Sequence, residues 1–440
     1  MRERPGQTGM VPIPWAGNDA AIVQNSQGAN IMCASYNDAC HARIPLMTTS
    51  ASLTTDPVAL AQALIRCRSV TPDEGGALTL LQSLLEPAGF QCHRLPFSAP
   101  GTPDVDNLYA RFGALGTNGP HLCFAGHTDV VPPGDEKAWT HPPFAGVVEN
   151  GVLWGRGAID MKGAIACFAV AALRFIASRN GKIPGAISFL ITGDEEGPSI
   201  NGTAKVLDWM KDNGERMDAC IVGEPSSLDT FGDELKIGRR GSLNGELIVL
   251  GKQGHAAYPR TAENPVPKLA RMIDRLSSAP LDKGTENFEP SSLEVTVISV
   301  NNAATNVIPS EARAKLNIRY NDLWTRPKVE AHVRAICEAT AAELGARWQL
   351  TFSGTGDVFR TKPGPLVDTM SGAAKSITGL TPRMSTGGGT SDARFIHFYC
   401  PVIEFGLLNR TIHQVDEHCD IVDLHRLVDV YGAFLERYFG

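Results

Sequence analysis

The sequence predicts an α/β protein. Its catalytic unit has a mixed, mainly parallel central sheet flanked by helices, and a ferredoxin-like α+β unit is inserted into it. Three observations predict this. Three apolar runs, Leu122–Ala125, Ala186–Thr192 and Ala219–Val222, each end at a glycine followed by acidic or imidazole side chains. That is the pattern of buried strands delivering polar groups at their carboxyl ends. A helical run, Met161–Ser178, is apolar on most faces, as a helix covering a sheet is. From Arg240 the order changes to strand, helix, strand, strand, helix, strand, the split-βαβ arrangement, and helix–strand alternation then resumes.

Composition bounds the function. With 440 residues, 43% hydrophobic and 20% charged, the chain can build a large core and more than one domain. A net charge of -7 gives no basic footprint for nucleic acid. No apolar run reaches the length of a membrane span. Ten cysteines without a CxxC pair read as reduced thiols of a cytoplasmic protein.

Residues 1–50 are polar, Gly-rich and aperiodic and have no signal-peptide core. They read as a disordered extension or as the product of a start placed upstream of Met47. Residues 51–240 form the first part of the catalytic domain. Asp56 caps a helix with Pro57 at its first position, and GGALTLLQSLLEPAG forms a second. Strands follow at Gln91–Leu95 and Asn107–Phe112, then the Leu122–Ala125 strand and the Met161–Ser178 helix. Residues 241–354 hold the inserted unit, read as a lid and dimerisation domain. Its strands are Leu243–Leu250, Leu293–Val300, Ala312–Tyr320 and Arg347–Phe352, and its helices are Pro265–Ser277 and Pro327–Leu344. Residues 355–440 return to the catalytic domain. They contain the helix LVDTMSGAAKSITG, a Gly-rich turn STGGGTSD, a strand Pro401–Phe405, a loop carrying His413, and a terminal helix from Val422.

The chemistry lies at the strand ends. His127 and Asp129 follow the first strand, Asp160 precedes the long helix, Asp194-Glu195-Glu196 follow the second strand and Glu224 the third. Taken singly, each reads as a solvated turn, and His413 as a loop histidine. Together they form a donor set for two metal ions, with His127, Asp160, Glu196, Glu224 and His413 as ligands and one carboxylate bridging. Asp129 is placed to orient His127 through its second ring nitrogen. Adjacent side chains diverge, so Glu196 ligates while Glu195 serves as general base.

The motifs GHTDVVPPGD, WTHPPFAG, GRGAIDMKG, GDEEGPSINGT and GEPS resemble those of the dinuclear zinc aminoacylase and carboxypeptidase clan. GRRGS, GKQGHAAYP, AENPV, ATNVIP, STGGGTSDARF and EFGLLNRTIHQVDE narrow the resemblance to bacterial succinyl-diaminopimelate desuccinylases, from about Asp56 to the C-terminus. The resemblance implies two zinc ions per subunit, with cobalt able to replace one or both. One is held by His127 and Glu224, the other by Glu196 and His413, with Asp160 bridging and its following peptide cis. It implies a homodimer in which His255 reaches across to stabilise the oxyanion. Tyr258 contacts substrate, with Asn306 beside it. Arg239, Ser242, Arg319, Gly389, Thr390 and Asn409 match positions lining the pocket of a small-molecule substrate. The implied reaction is hydrolysis of N-succinyl-LL-2,6-diaminoheptanedioate. Acetylornithine deacetylation is the nearest alternative, and an inactive binding protein is the alternative from another class. Residues 1–46 have no counterpart in the resemblance.

Overall fold

A computed structural model describes residues 53–440 with the exception of residue 117. The expectations for residues 1–50 lie outside the described residues. The central sheet has eight strands. Their spatial order is Gln91–Arg94, Leu108–Phe112, Ala186–Thr192, His121–His127, Ala219–Val222, Val402–Glu404, Glu234–Lys236 and Arg383–Ser385. The four strands from Ala186–Thr192 to Val402–Glu404 run parallel. The strands beside this group are antiparallel to it.

Alternation along each strand builds two cores. Phe124, Phe189 and Ile221 face one side, where the Pro57–Arg66, Ala77–Leu85, Lys162–Ser178, Pro365–Thr378 and Ile421–Phe439 helices pack. Cys123, Leu190 and Val222 face the other, against the Thr203–Asp212 and Ala393–Ile396 helices. The Lys162–Ser178 helix is buried over most of its surface because it packs against the sheet and against the Pro57–Arg66 and Ile421–Phe439 helices. Phe168 stacks on Phe124 with ring centroids 4.3 Å apart. Burial of such a ring contributes about 1.5–3 kcal/mol. The first helix starts as its sequence dictates: the Asp56 carboxylate accepts the Val58 N–H at 2.9 Å, and Pro57 follows the cap.

Between residues 241 and 356 lies a second, four-stranded antiparallel sheet. Its order is Ser292–Ser299, Glu311–Tyr320, Gly241–Leu250, Arg347–Gly356, with the Pro265–Ser277 and Arg326–Leu344 helices on one face. This is ferredoxin-like order, and its core of Leu247, Met272, Leu316 and Val333 is a cluster of its own. Ser292–Ser299 is an edge strand, and Val297 and Ile298 on it are exposed at 43% and 62%. No helix among the described residues is long and apolar enough to cross a membrane.

Several described elements go beyond the sequence reading. One is a hairpin, Val147–Glu149 with Val152–Trp154, turned by Asn150 and Gly151 at φ of 51° and 81°. Asn-Gly with both residues left-handed is the preferred two-residue hairpin turn. The second is the Thr203–Asp212 helix, which buries Val206, Leu207 and Met210 at helical spacing. The third and fourth are the three-residue strands Glu234–Lys236 and Arg383–Ser385, which extend the central sheet.

Candidate metal centre and its cavity

The parallel strands bring their carboxyl ends to one rim. His127 is the last residue of its strand, and Glu224 stands two residues past Val222. Both are buried. Close packing places them: a Cβ at Gly126 or at Gly223 would lie 2.7 Å from Met161 Cε. Glycine at both positions leaves room for the Met161 side chain between the strand ends and the start of the long helix. The peptide from Asp160 to Met161 is cis, as the resemblance implies.

The ligand-type atoms of His127, Asp160 and Glu224 lie within 4.8 Å of one another, as do those of Asp160, Glu196 and His413. Asp160 belongs to both groups. Its Oδ1 is 3.1 Å from His127 Nε2, and its Oδ2 is 3.1 Å from His413 Nε2. Glu224 Oε1 is 3.8 Å from His127 Nε2, and Glu196 Oε1 is 2.8 Å from His413 Nε2. His413 is held at φ 60°, an uncommon conformation for a non-glycine residue.

Burial raises the pKa of each of these carboxyls, and their neighbours decide the outcome. Burial, joined by the charges of Asp160 and Glu195, pushes Glu224 well above the usual carboxylate range. Burial pushes Glu195 up to about 8, with Asp392 and Glu196 adding to it and His127 opposing. Burial works on Asp160 too, but the two imidazoles outweigh it and hold Asp160 below its ordinary value. Hydrogen bonds to Asp160 and Glu196 push His413 up to about 10. Crowded carboxylates shared with two imidazoles fit divalent cations, which would relieve the repulsion. His127, Asp160 and Glu224 would hold one ion; Asp160, Glu196 and His413 would hold the other.

Asp129 sits differently from the sequence expectation. His127 Nδ1 donates to the Asp129 main-chain carbonyl at 2.9 Å, and the carboxylate stands 3.6 Å away. That carboxylate accepts the Thr71 hydroxyl at 2.8 Å and the N–H groups of Glu195 and Glu196 at 3.3 and 3.0 Å. It therefore fixes the backbone from which the Glu195 and Glu196 side chains diverge. Sequence reasoning left Glu417 unassigned. Its buried carboxylate accepts Arg156 Nη1 at 2.7 Å and the N–H groups of Gly157, Ile159 and Asp160 at 3.1, 2.9 and 3.2 Å. It ties the loop of Asp160 to the loop of His413.

The centre opens into a cavity of about 470 Å3. Asp160, Glu195, Glu196, Glu224 and His413 line it, with Arg239, Arg319, Gly389, Thr390 and Asn409. A larger groove of about 660 Å3, beside Arg111, His121 and Asp218, holds none of these groups. Arg239 is not free for a ligand. Its Nε reaches Glu404 Oε1 and Oε2 at 3.0 and 2.9 Å, its Nη2 also bonds Glu404, and its Nη1 donates to the carbonyls of Gly387 and Gly389 at 3.2 and 3.1 Å. Glu404, missed in the sequence, thus clamps the Gly-rich loop through Arg239. Arg319 contrasts with it. It donates from Nε to Asn317 at 3.1 Å, and among the described residues it has no carboxylate partner. Burial and the charges of Arg240, Arg239 and Arg394 pull its pKa down, the signature of a cation lacking a counter-ion.

Ser242, His255, Tyr258 and Asn306 do not line this cavity. His255 and Asn306 are exposed, and Tyr258 is 67% exposed. His255 Nδ1 accepts the Ala257 N–H at 3.0 Å, which leaves Nε2 as the ring's outward donor.

A profile of peptidase family M20/M25/M40 matches residues 123–437. A succinyl-diaminopimelate desuccinylase of Rhodospirillum centenum is 55% identical over 385 residues, covering 88% of this chain and 98% of that protein. One of a Methylobacterium species is 56% identical over 387 residues, covering 88% and 97%. Among solved structures, a dinuclear metal-binding peptidase from the M20 family of Bacillus subtilis superposes with a TM-score of 0.66 at 18% identity, covering 88% of this chain and 98% of that one.

Proposed function

Because the chain belongs to peptidase family M20/M25/M40, we propose that it is a dinuclear zinc hydrolase that splits N-succinyl-LL-2,6-diaminoheptanedioate into succinate and LL-2,6-diaminoheptanedioate, a step of diaminopimelate and lysine biosynthesis. The observation that carries it is Asp160, which offers one oxygen to each imidazole at 3.1 Å and lines a cavity shared with Arg319, a guanidinium with no carboxylate partner among the described residues. Cobalt suits the same donors. When bound, the ions supply Lewis acidity, polarising the amide carbonyl and lowering the pKa of water at the site to about 7.

The chain's own residues do the rest. Glu195 takes a proton from the attacking water on its carboxylate. The water oxygen bonds the amide carbon, the C–N bond breaks, and Glu195 returns the proton to the leaving amine nitrogen. Asp129 holds Glu195 and Glu196 in register through their N–H groups. Arg319, Thr390, Asn409 and the Gly389 backbone bind carboxylates of the substrate by charge-assisted hydrogen bonds. Arg319→Ala is expected to lower kcat/KM for succinate release at least tenfold, with the melting temperature kept. An unchanged kcat/KM would remove Arg319 from the pocket.

The working form is a homodimer in the cytoplasm. Eight described cysteines are free thiols, which suits a reducing compartment. The unpaired Ser292–Ser299 edge, with Val297 and Ile298 outward, is the surface such pairing would cover. Dimerisation accounts for His255, Tyr258 and Asn306 standing clear of their own cavity: they complete the partner's. His255 Nε2 would donate to the developing oxyanion there. Ile298→Asp should give a monomer by light scattering that keeps its metal and loses at least 90% of its activity. A fully active monomer would refute the shared site.

A further inference from the structure

We infer that Asp416, through its two hydrogen bonds to Thr140, is the positioning residue that fixes the loop carrying His413, and so sets how tightly the ion shared by Glu196 and His413 is held. The inference rests on the dinuclear reading above and assigns a role to two residues outside the metal groups.

His413 sits in a loop, nine residues after the Val402–Glu404 strand and five before the His418–Asp420 strand. Its side chain is 46% exposed, against 2–9% for His127, Asp160, Glu196 and Glu224. Packing therefore does little to fix it. Its φ of 60° persists only where the surroundings over-determine the backbone. The loop closes on itself. Thr411 Oγ1 accepts the His418 N–H and donates to the His418 carbonyl, both at 3.1 Å, and the Asp416 carbonyl accepts His418 Nδ1 at 2.7 Å. Closure gives the loop a shape but not a place.

Asp416 supplies the place. Its Oδ1 accepts the Thr140 N–H and its Oδ2 the Thr140 hydroxyl, each at 2.7 Å, across 276 positions of sequence. Hydrogen bonds to a carboxylate are of the short, strong class. Thr140 is a firm anchor because of the residue before it. Trp139 is 8% exposed, its Nε1 donates to the Pro133 carbonyl at 2.9 Å, and the Arg156 guanidinium lies 5.1 Å from its ring centroid. Arg156 Nη1 also donates to the Gln414 carbonyl at 3.2 Å, next to His413. Asp416 is itself at φ 60°, a conformation aspartate adopts more readily than most residues.

Thr140 is exposed and Asp416 half-buried, so losing the clasp should leave the fold and its melting temperature nearly unchanged. The effect falls on the metal instead. A ligand whose loop can wander spends less time in the binding geometry, and groups that orient metal ligands are worth about 10–100-fold in affinity. The other ion should not feel the change, because His127 ends its strand and Glu224 stands two residues past its own.

The test dialyses zinc-loaded protein against buffers of graded free zinc and counts the ions kept per subunit. Asp416→Ala should weaken retention of one ion about 10–100-fold and leave the other unchanged. His413→Ala should lose that same ion, and the double variant should do no worse than His413→Ala, since Asp416 acts through His413. Asp416→Asn can still bond both Thr140 groups and should hold both ions nearly as the wild type does. Asp416→Gly takes φ 60° without strain but lacks the clasp, and should match Asp416→Ala. If Asp416→Ala fails to fold, Thr140→Val, which removes the hydroxyl alone, should show a smaller loss confined to the same ion. Recovery in Asp416→Gly would assign the effect to backbone strain, and additive losses in the double variant would uncouple Asp416 from His413. Either result, or a loss in Asp416→Ala shared equally by both ions or absent, overturns the inference. Wild-type protein that keeps fewer than two ions at saturating zinc would instead refute the dinuclear reading, and the clasp's role with it.

Discussion

Glu195→Gln is expected to keep both metal ions and to lower kcat by about 10²–10⁴, the usual worth of a positioned acid–base group. The expectation follows from how two adjacent glutamates divide. Glu196 Oε1 lies 2.8 Å from His413 Nε2 and belongs to a ligand group; Glu195 belongs to neither. The Asp129 carboxylate holds both backbone N–H groups, so the glutamine side chain should take the same path without disturbing Glu196. Glutamine is nearly isosteric but cannot take a proton at neutral pH. Metal analysis of the purified variant, beside its kcat, checks both halves. A variant that has lost an ion would show that the roles of the two glutamates are reversed.

Much of this was legible in the sequence, for identifiable reasons. The long apolar strands and the Lys162–Ser178 helix were visible because burial on both faces leaves an uninterrupted apolar run. The inserted unit was visible because strands such as Gly241–Leu250 alternate strictly in burial. His127, Asp160, Glu196 and Glu224 stood out because each follows such a strand or a Gly-rich turn, whereas His413 lies in a loop. The short strands Glu234–Lys236 and Arg383–Ser385 escaped because three residues carry no period. With them went Glu234, Lys236 and Arg383, which look like ordinary surface charges until register places them on one face. The Asn150-Gly151 turn and the spacing of Val206, Leu207 and Met210 were signals present but not used. Long-range pairing is a different matter. Nothing local indicates that Arg239 is occupied by Glu404, 165 residues away, or that Glu417 reaches back to Asp160. The substrate carboxylates assigned to Arg239 on sequence therefore pass to Arg319 and the Gly-rich loop, and Arg239 acts by shaping that loop.

Substrate choice carries the second large effect. The metal groups cannot set it, since any amide carbonyl would meet the same donors. The cavity sets it. A succinyl group brings a carboxylate that an acetyl group lacks, and diaminoheptanedioate brings a second amino-acid end. Arg319 is a cation without a carboxylate partner among the described residues, and Thr390 and Asn409 line the same cavity. A substrate without those charges leaves these donors without their ligand carboxylates, which is how a polar site rejects an analogue by as much as about 10⁴-fold. The direct measurement is kcat/KM for N-succinyl-LL-2,6-diaminoheptanedioate and for N-acetylornithine on one zinc-loaded, metal-analysed preparation. The account predicts a preference for the succinylated diacid on the order of 10³–10⁴; comparable values for the two would contradict it and leave a metal-dependent amide hydrolase of unassigned substrate.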